Sequence, residues 1–588
     1  MENVEIAAVL REVADLLEIQ EANPFRVRAY RNAVRTIEAY AVPLRKLVED
    51  EADLTELPAI GKGMAQNIEE LVTTGGLSVL NQLAEEIPAS LIELMRLPGL
   101  GPKMARKLWN ELGIETMEAL EEAATEGRIE DLAGFGQKTQ ARILEGIAQY
   151  RTNVSRFRLV EADELLPPLL AYLEETPGLR RLEVAGSYRR RLETIGYIDL
   201  LVLAEDAEAI SERLMSFPSV THVLGAGATK TSVTLRSGLQ VDLRVVPPES
   251  WGAALVYFTG SKEHGIKLRQ RALDRDLRIS EYGVFRIPET EGSEEVEERG
   301  RASEGERVAG TTEEEVYAAV GLPWIAPEIR EDRGEIRAAE AGELPRLLEL
   351  EDIRGDLQMH STWSDGRNSL EEMLEACAGR GYEYFAITDH SKALAMIEGL
   401  DAAKLRKQWG EIDEIAARHP EIRILRSMEV DILRDGTLDL EDEMLAQLDL
   451  VVVSIHSYFG LPQAEQTERV LRAIRHPEVN ILAHPTGRLI NRRAPIDLDV
   501  DEVLRACVEG GVAVELNAQP SRLDLKDTQV MRARELGLKV AISTDAHRTA
   551  ELDLIHYGVE QARRAWLTPD DVLNALPLDG LLEAVGRG

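Results

Sequence analysis

The spacing of apolar positions changes twice along the chain. Over about the first 150 residues, apolar side chains recur at helical spacing. From about Val154, the short runs RRLEVAG, YIDLLVLA, KTSVTLRS and LQVDLRVV predict strands among helices. After residue 350, seven apolar runs alternate with helical segments, which predicts a parallel β/α barrel. The pattern therefore predicts a multidomain chain with an all-α N-terminal region, an α+β middle and a C-terminal α/β barrel.

Length and composition agree with several globular domains. A chain of 588 residues is too long for one ordinary core, so two to four domains are expected. No window approaches the roughly 18 apolar residues of a membrane helix, and the charged N-terminus lacks a signal-peptide pattern. Cys377 and Cys507 lie in separate helical segments, which gives no support to a disulfide framework or a cysteine metal site. We therefore expect a cytoplasmic protein.

The chain is strongly acidic. Its net charge is −37, from 68 basic and 105 acidic residues, which argues against a protein that coats nucleic acid. Any DNA binding must be local, through backbone donors, small basic clusters and bound cations, and it should be salt-sensitive. Part of the acidity falls in Glu289 to Glu306, a stretch rich in Glu, Gly and Ser that we predict to be a disordered surface insertion.

A glycine-containing signature occurs three times in the helical region. The copies are LPAIGKGMAQNI from Leu57, LPGLGPKMARKL from Leu97 and LAGFGQKTQARI from Leu132. Each resembles a helix-hairpin-helix motif, in which a tight glycine turn leaves the unpaired N–H groups of a helix N-terminus pointing outward. Such donors suit a DNA phosphate and read no sequence. The DNA-binding residues that this resemblance implies are Gly61, Gly63, Gly99, Gly101, Lys103, Gly134, Gly136 and Lys138.

The middle of the chain contains a second set of motifs. GSYRRRLETIGYIDLLV begins at Gly186, LQVDLRVVPPESWGAALVYFTGSKEHGIKLRQRAL begins at Leu239, and SEYGVF and AGTTEEEVYAAVGLPWIAPEIRED follow. Together they resemble a family X DNA polymerase, with a nucleotidyltransferase palm and a thumb. The resemblance implies a triphosphate site, a nucleotide pocket and a site for catalytic Mg²⁺ or Mn²⁺. The residues implied are Gly186, Ser187 and Arg190 for the triphosphate, Tyr257, Phe258 and Gly260 for the pocket, and Asp199 and Asp242 for the metal ions.

The metal-binding carboxylates depart from the family pattern. Two metal ions that clamp attacking and leaving oxygens need hard, negatively charged ligands, usually three Asp. Where the family has Gly-Asp-x-Asp, this chain has Tyr197 in place of the first Asp, two residues before Asp199. Tyrosine, with a reference pKa of about 10, is neutral at neutral pH and cannot bridge two cations as a carboxylate does. We therefore expect weak DNA synthesis, unless a nearby carboxylate such as Glu193 substitutes.

Three smaller departures accompany this one. Arg191 replaces a usual glycine, and Gly265 stands where a nucleotide-contacting Asn is common. Family members that cleave abasic ends use a Lys to form a Schiff base, and Asn67 occupies the matching position. Since an amide is not a nucleophilic amine, we expect no lyase activity.

The predicted barrel strands end in residues that bind metal ions. Eight of the ten histidines follow residue 350, and five of them end β-like runs. Because the carboxyl ends of barrel strands form the active site, these five side chains should converge. Neutral imidazoles with a few carboxylates favour Zn²⁺, Mn²⁺ or Fe²⁺ over Ca²⁺, and several such ions together can ionise a water and stabilise a phosphoryl transition state. We interpret His419, His476 and His556 as ordinary hydrogen-bonded residues.

The order and spacing of these runs resemble the PHP (polymerase and histidinol phosphatase) domain over roughly residues 351 to 588. Gln358 stands where the family has its first histidine, and its amide oxygen is a weak ligand. The resemblance implies Mn²⁺ or Zn²⁺ in this site, up to three ions. Arg488, after AHPTG, is a candidate phosphate contact. The metal ligands that the resemblance implies are Gln358, His360, Asp365, His390, Glu429, His456, His484, Asp545 and His547.

Joined together, these regions match the bacterial-type PolX architecture, a family X DNA polymerase with a C-terminal PHP domain, over nearly the whole chain. The resemblance implies a DNA repair enzyme with a 3′–5′ exonuclease and abasic-site or 3′-end phosphodiesterase in the barrel, and gap-filling synthesis in the palm. Its partners would be gapped, nicked or 3′-ended DNA and deoxynucleoside triphosphates, with no membrane, and it would be a monomer. Two alternatives remain: a small-molecule phosphatase on the same barrel, and a non-catalytic DNA-binding scaffold.

The resemblance also implies domain boundaries. The barrel is expected to be a distorted seven-stranded one. The expected domains are an N-terminal helical domain with the first hairpin at 1–88, fingers with the second and third hairpins at 89–152, a palm at 153–255, a thumb with the acidic insertion at 256–322, a linker at 323–350 and the PHP domain at 351–588.

Overall fold

The chain packs as two compact units, which are described separately. The computed structural model describes residues 3–38, 44–49, 52–88, 90–95, 97, 100–129, 132, 135–136, 139–144, 147, 156–287, 305–393 and 399–586. The predicted acidic insertion lies outside the described residues, except for its last two positions. The first unit comprises Met1–Phe157, Glu161–Leu179 and Glu205–Leu243, and the second comprises Arg158–Val160, Arg180–Ala204 and Arg244–Gly588.

The first unit begins with a helical region. Each helix has one apolar face, and these faces share a core that includes Leu10, Ile37 and Leu108. Two helices of the glycine signatures begin directly after a glycine, at Gly61 and Gly101. The helices are Asn3–Ile19, Pro24–Glu38, Leu44–Glu49, Lys62–Thr74, Ser78–Glu86, Leu91–Leu94, Pro102–Leu112 and Met117–Thr125, with the 3-10 helix Leu54–Glu56.

The four strands predicted between residues 179 and 245 are present. They are Leu179–Val184, Tyr197–Ala204, Lys230–Leu235 and Gln240–Val245. Within the first unit, Lys230–Leu235 pairs antiparallel with a further strand, Val220–Ala226. The other elements of this region are the strands Phe157–Arg158 and Thr194–Ile195 and the helices Leu159–Glu174, Gly186–Arg189 and Ala207–Met215.

The second unit contains a thumb-like subdomain between residues 244 and 347. Its core includes Val256, Leu268 and Tyr317, and Trp566 from the end of the chain packs into the same core. Three antiparallel strands, Leu277–Ser280, Gly283–Arg286 and Arg307–Ala309, form its sheet. Its helices are Trp251–Thr259, Lys262–Leu273, Glu313–Ala319 and Glu335–Ala341, with the 3-10 helices Pro248–Ser250 and Pro327–Ile329.

Seven parallel strands build the barrel in the order of the sequence. A parallel bridge between Met359 and Ala546 joins the segments of the first and last strands. Each predicted apolar run contains one of these strands. The strands are β1 Gly355–Met359, β2 Tyr384–Ile387, β3 Arg423–Asp431, β4 Leu450–Ser454, β5 Ile481–Leu482, β6 Ala513–Asn517 and β7 Val540–Ser543.

Helices alternate with the barrel strands, as the sequence predicts. Successive side chains of a strand point to opposite faces, so Val451 and Val453 of β4 join the core shared with the helices, whereas Leu450 and Val452 join a separate inner core. Among the described helices, none is long and apolar enough to cross a membrane. The helices are Leu370–Gly379, Ala402–Arg418, Asp442–Leu445, Gln463–Ile474, Val500–Gly510, Asp527–Glu535, Ile555–Arg564 and Leu578–Ala584, with the 3-10 helices Leu350–Asp352, Thr549–Leu554, Pro569–Asp571 and Leu573–Ala575.

Candidate metal centre and nucleotide site

Histidine, aspartate and glutamate side chains converge at the carboxyl ends of the barrel strands. The alternation of the strands explains their direction, because Glu429 lies four residues after Leu425 of the inner core and His456 four residues after Val452. The strands are parallel, so these ends meet on one face of the barrel. The side chains that form the cluster are His360, Asp365, His390, Glu429, His456, His484, Asp545 and His547.

Glu429 is the centre of one half of the cluster. Its fully buried carboxylate lies 3.0 Å from Nε2 of His484, 3.3 Å from Nδ1 of His390 and 3.4 Å from Nε2 of His456. Burial raises the pKa of Glu429, but the imidazoles of His390 and His456 outweigh burial and hold this pKa well below its usual range. The carboxylate is therefore ionised and available to a cation.

The other half of the cluster contains Asp365, Asp545, His360 and His547. Nε2 of His360 lies 3.1 Å from Oδ1 of Asp545, and Nε2 of His547 lies 3.2 Å from Oδ2 of Asp365. The ring of His360 stacks on the rings of His390 and His547, with centroids 4.4 and 4.3 Å apart. This packing brings the two halves together.

The pKa values of His390 and His547 are shifted in opposite directions. Burial lowers the pKa of His390 to about 4, against the attraction of Glu429. Burial also acts to lower the pKa of His547, but the carboxylates of Asp365 and Asp545 outweigh it and raise this pKa to about 10. His390 is therefore in the neutral form that binds a metal ion, whereas His547 must release a proton to do so.

The cluster offers three overlapping sets of ligands. Within each set the ligand atoms lie within 4.8 Å of one another, which is close enough to surround one ion. The sets share residues, as expected for ions bridged by common ligands. They are His360, Asp365, His390 and His547; His390, Glu429 and His456; and His360, Glu429 and Asp545.

Unpaired buried atoms show that these residues fit metal ions. Among the described residues, neither amide atom of Gln358 has a hydrogen-bond partner, and the same is true of Nδ1 of His360, Nδ1 of His484 and Oε2 of Glu429. A buried polar atom without a partner costs about 1–3 kcal/mol, so a group of them is stable only with a further ligand. Imidazole, carboxylate and amide donors suit Zn²⁺, Mn²⁺ or Fe²⁺.

The three histidines interpreted as ordinary lie outside the cluster. Nδ1 of His419 is 3.2 Å from the carboxylate of Glu421, and Nε2 of His476 is 3.3 Å from that of Asp442. Nδ1 of His556 bonds to the backbone carbonyl of Asp553.

Two residues beside the cluster were not anticipated from the sequence. Oδ1 of Asp431 lies 3.2 Å from Nδ1 of His456 and orients that ring. The period of β3 could have indicated this residue, since it lies two positions after Glu429. Nε of Arg522 lies 3.6 Å from Oδ2 of Asp545. This arginine follows β6 in a loop without periodic pattern, so the sequence contains no signal for it.

Arg488, the candidate phosphate contact, is buried and already paired. Its guanidinium donates to both carboxylate oxygens of Glu193, at 2.7 and 3.3 Å, and to the carbonyl of Leu523. A phosphate could reach this guanidinium only by displacing Glu193. Glu193 is also the carboxylate that was expected as a possible replacement for the Asp missing at Tyr197, and in the structure it is paired with Arg488.

The loop predicted to hold a triphosphate contains Gly186 in a left-handed backbone conformation. Gly186 has φ of +65°, and a Cβ there would lie 2.9 Å from Oδ2 of Asp199. Only glycine fits this approach without strain. A Cβ on Gly260 would lie 3.1 Å from Nη1 of Arg190, so two further predicted residues are neighbours. Arg190 also donates to Glu331, at 2.9 Å, and to the carbonyl of Thr259.

Ser187 lies in the helix Gly186–Arg189, and Tyr257 and Phe258 lie in the helix Trp251–Thr259; Arg189 joins the two helices by donating to Oγ1 of Thr259 at 2.8 Å. Ser187 is half-buried and its carbonyl accepts from the N–H of Leu192. Tyr257 and Phe258 meet edge to face, with centroids 5.1 Å apart, and Tyr257 is exposed.

The two palm aspartates belong to different units. Asp199 lies in the second unit and Asp242 in the first, and both are buried. Oδ2 of Asp242 forms an ion pair with Lys230 at 2.8 Å. Burial raises the pKa of Asp242, but hydrogen bonds from Lys230 and Gln240 outweigh it and lower this pKa. Tyr197 begins its strand with 52% of its surface exposed.

The helix-hairpin-helix residues are described in part. Gly61 and Gly101 are N-cap residues, and glycine has no side chain to bond the first N–H groups of the helices. Gly136 and the exposed Lys103 are also described, as is Gly63 in the first turn of its helix. Gly99, Gly134 and Lys138 lie outside the described residues.

Four family models match separate segments of the chain. The helix-hairpin-helix domain matches residues 1–77, and the SAM-like helix-hairpin-helix tandem matches residues 91–149. The DNA polymerase beta thumb matches residues 254–331, and the PHP domain matches residues 356–519.

Similar proteins cover the whole chain or one part of it. DNA polymerase lambda of Arabidopsis thaliana is 29% identical over 327 residues, which are 51% of this chain and 57% of that protein. A probable phosphatase of Thermoanaerobacter sp. (strain X514) is 27% identical over 217 residues, 35% of this chain and 84% of that protein. The DNA polymerase/3'-5' exonuclease PolX of Bacillus subtilis (strain 168) is 40% identical over 580 residues, 98% of each chain. Because this identity extends over nearly the full length of both proteins, the chain belongs to the PolX family.

Proposed function

We propose that the barrel hydrolyses phosphodiester bonds at the 3′ ends of DNA, as a metal-dependent 3′–5′ exonuclease and abasic-site or 3′-end phosphodiesterase. The observation that carries the proposal is the buried cluster of five histidines and three carboxylates at one face of the barrel, with ligand atoms that lack partners among the described residues. The name of the Bacillus relative supports the 3′–5′ direction.

Divalent ions held by the cluster would supply the positive charge that a phosphodiester and its attacking water require. The chain orients the ligands for this purpose. Asp431 bonds to Nδ1 of His456 and so directs its Nε2 towards Glu429. The carbonyl of Asp545 accepts from Nδ1 of His547 at 2.8 Å, which leaves Nε2 facing Asp365. Arg522 is the cation placed to contact a phosphate oxygen.

The ions are proposed to be Mn²⁺ or Zn²⁺, up to three. The three overlapping ligand sets support that number, and the mixture of imidazole and carboxylate supports those elements. The proposed ligands are the eight residues of the cluster, together with the amide oxygen of Gln358.

The front part of the chain supports DNA as the substrate. Helix-hairpin-helix and polymerase-thumb models match residues before the barrel. A small-molecule phosphatase would not need these segments, and the probable phosphatase of Thermoanaerobacter matches only 35% of this chain. We also propose that the protein is a cytoplasmic monomer.

The exonuclease is tested with 5′-labelled single-stranded DNA and Mn²⁺. His360→Ala and Asp545→Ala should each abolish shortening, because each removes a ligand from the set that also contains Glu429 of the first half. His476→Ala is the matched control, since His476 lies outside the cluster. If both cluster variants shorten DNA like the parent, the site is wrong. If the parent hydrolyses a phosphate monoester but not DNA, the phosphatase alternative holds; if it hydrolyses neither, the scaffold does.

Gap-filling synthesis is the second proposed activity. The close approach of Gly186 to Asp199 and of Gly260 to Arg190 favours it, because the glycines let the backbone come next to a proposed metal ligand and a proposed triphosphate ligand. We expect synthesis to be weak, since Tyr197 supplies no charge to a metal ion. Tyr197→Asp should raise primer extension across a one-nucleotide gap about 100-fold or more, equivalent to about 3 kcal/mol, without changing exonuclease activity. Robust synthesis by the parent, with no gain from the substitution, would show that the metals assemble in another way.

A further inference from the structure

An aromatic ring is exposed at the face of the barrel that contains the metal cluster. Tyr458 lies two residues after His456, in the loop that follows β4, and two residues span at most about 7 Å. Its surface is 50% exposed. The next residue, Phe459, instead packs near Gly487 and under the guanidinium of Arg493. The core of the barrel therefore uses Phe459, whereas the half-exposed ring of Tyr458 lies beside the guanidinium of Arg469, whose Cζ is 5.6 Å from the ring centroid.

The backbone holds this ring in a costly conformation. Tyr458 has φ of +57°, in the left-handed region that side chains other than glycine and asparagine rarely adopt. The loop is fixed on both sides, because Arg469 donates to the carbonyl of Ser457 at 2.8 Å and the N–H of Leu461 donates to the carbonyl of Tyr458. Strain kept at one exposed residue beside a candidate active site indicates a functional position.

A neighbouring loop places an arginine beside the ring. The turn after β3 carries Arg434, whose Cζ lies 5.5 Å from the centroid of the Tyr458 ring, and Arg434 is exposed. The buried Arg469 connects the two loops, since it also donates to the carbonyls of Ile432 and Leu433. An exposed ring and an exposed guanidinium are thus held next to each other near the cluster.

We propose that Tyr458 is the platform on which a base at the single-stranded 3′ end of DNA stacks, with Arg434 contacting the backbone phosphate. The inference rests on the proposed exonuclease and names how its site recognises DNA. Because the chain has a net charge of −37, its overall electrostatic field does not attract DNA, so local contacts must supply the affinity for DNA. Base stacking on an aromatic ring is tolerant of sequence, as an exonuclease requires.

The test compares two oligonucleotides that differ only at the 3′ end. One has normal nucleotides, and the other has two terminal abasic (tetrahydrofuran) residues, which lack the bases. For the parent, kcat/KM should be about 5- to 150-fold higher on the normal oligonucleotide, equivalent to about 1–3 kcal/mol. Tyr458→Ala should remove this preference through KM, whereas Tyr458→Phe should keep it because the ring remains. Arg434→Ala should weaken the binding of both oligonucleotides equally and reduce the salt dependence of binding.

Val508→Ala is the matched control, since Val508 is an exposed apolar residue in the helix Val500–Gly510. The inference is wrong if Tyr458→Ala still prefers the normal oligonucleotide. It is also wrong if this variant lowers kcat/KM equally for both oligonucleotides, as a loss of structure would. If the parent shortens neither oligonucleotide, the proposed exonuclease fails. Fluorescence anisotropy with the same two oligonucleotides then decides: a base-dependent affinity that Tyr458→Ala removes supports the stacking site, and its absence overturns it.

Discussion

Arg564 joins three segments of the second unit, and its removal should destabilise that unit strongly. Its guanidinium, 4% exposed, donates to Asp527 at 2.7 Å and to Glu331 at 3.0 Å. It also donates to the carbonyl of Arg190 at 2.7 Å, in the loop proposed to hold a triphosphate. The helix that ends at this arginine therefore ties the barrel to residues of the thumb and the palm.

The magnitude follows from what Arg564→Ala would leave behind. Removing one partner of a buried ion pair costs about 3–5 kcal/mol, because the other charge stays buried. Here Asp527 keeps Arg333, at 3.0 Å, and Glu331 keeps Arg190, at 2.9 Å. Each carboxylate therefore retains one cation, and we expect the lower end of the range, about 3 kcal/mol. The second unit has about 370 residues; at about 2.1 cal/mol/K of unfolding entropy per residue, about 3 kcal/mol corresponds to about 4 °C in the unfolding temperature.

Arg346→Ala is the matched control. Arg346 likewise donates to an aspartate, through both oxygens of Asp352, but its side chain is 61% exposed. Exposed pairs contribute about 0–1 kcal/mol, so the control should shift the transition little. A chain with two units need not unfold in one step, so calorimetry is combined with tryptophan fluorescence, since five of the six tryptophans lie in the second unit. Equal shifts for the two variants would refute the argument that burial makes the difference.

Three further predictions concern other sites. Burial raises the pKa of Glu313, but Arg189 and Arg330 outweigh burial and lower this pKa from 4.5 to about 2. The ionised carboxylate therefore contributes about 3 kcal/mol to stability above pH 4.5, and this contribution is lost as pH falls towards 2. Glu313→Gln should flatten the fall in unfolding temperature that calorimetry measures between about pH 5 and pH 3. Gly186→Ala should weaken deoxynucleoside triphosphate binding about tenfold by calorimetry, because the added Cβ meets Asp199 in a left-handed backbone; unchanged affinity would contradict the role of the loop. Mn²⁺ at 100 times its Kd should stabilise the parent by about 2.7 kcal/mol, reversed by EDTA, and Glu429→Gln should lose most of this gain in the same thermal assay; an equal gain would place the ions elsewhere.

The barrel was predictable because its local patterns agree with its tertiary structure. Each apolar run is buried on both faces in a parallel strand, and such strands leave their polar residues at the ends. The apolar runs therefore predicted the barrel strands, and the histidines at their ends predicted which side chains converge. The alternation of side chains also explains Glu429, which continues the inward-facing row of β3.

Pairings between distant segments could not be predicted in this way. Arg488 appeared in sequence as a free cation after a strand, whereas in the structure it binds Glu193, 295 residues earlier. Arg522 reaches the cluster from a loop, where side-chain direction follows no period. Which carboxylate meets which arginine depends on the packing of the thumb, the palm loop and the barrel, and no local spacing encodes that packing.

The same pairings bear on whether the palm can compensate for Tyr197. A substitute carboxylate must be free to approach a cation, but Glu193 already faces the buried guanidinium of Arg488 through both of its oxygens. Releasing Glu193 would break this ion pair and leave the buried guanidinium with the carbonyl of Leu523 and the neighbouring carboxylate of Asp524, which costs free energy because a charged partner is lost. Freeing Glu193 therefore costs stability, so we expect that it does not replace the carboxylate missing at Tyr197.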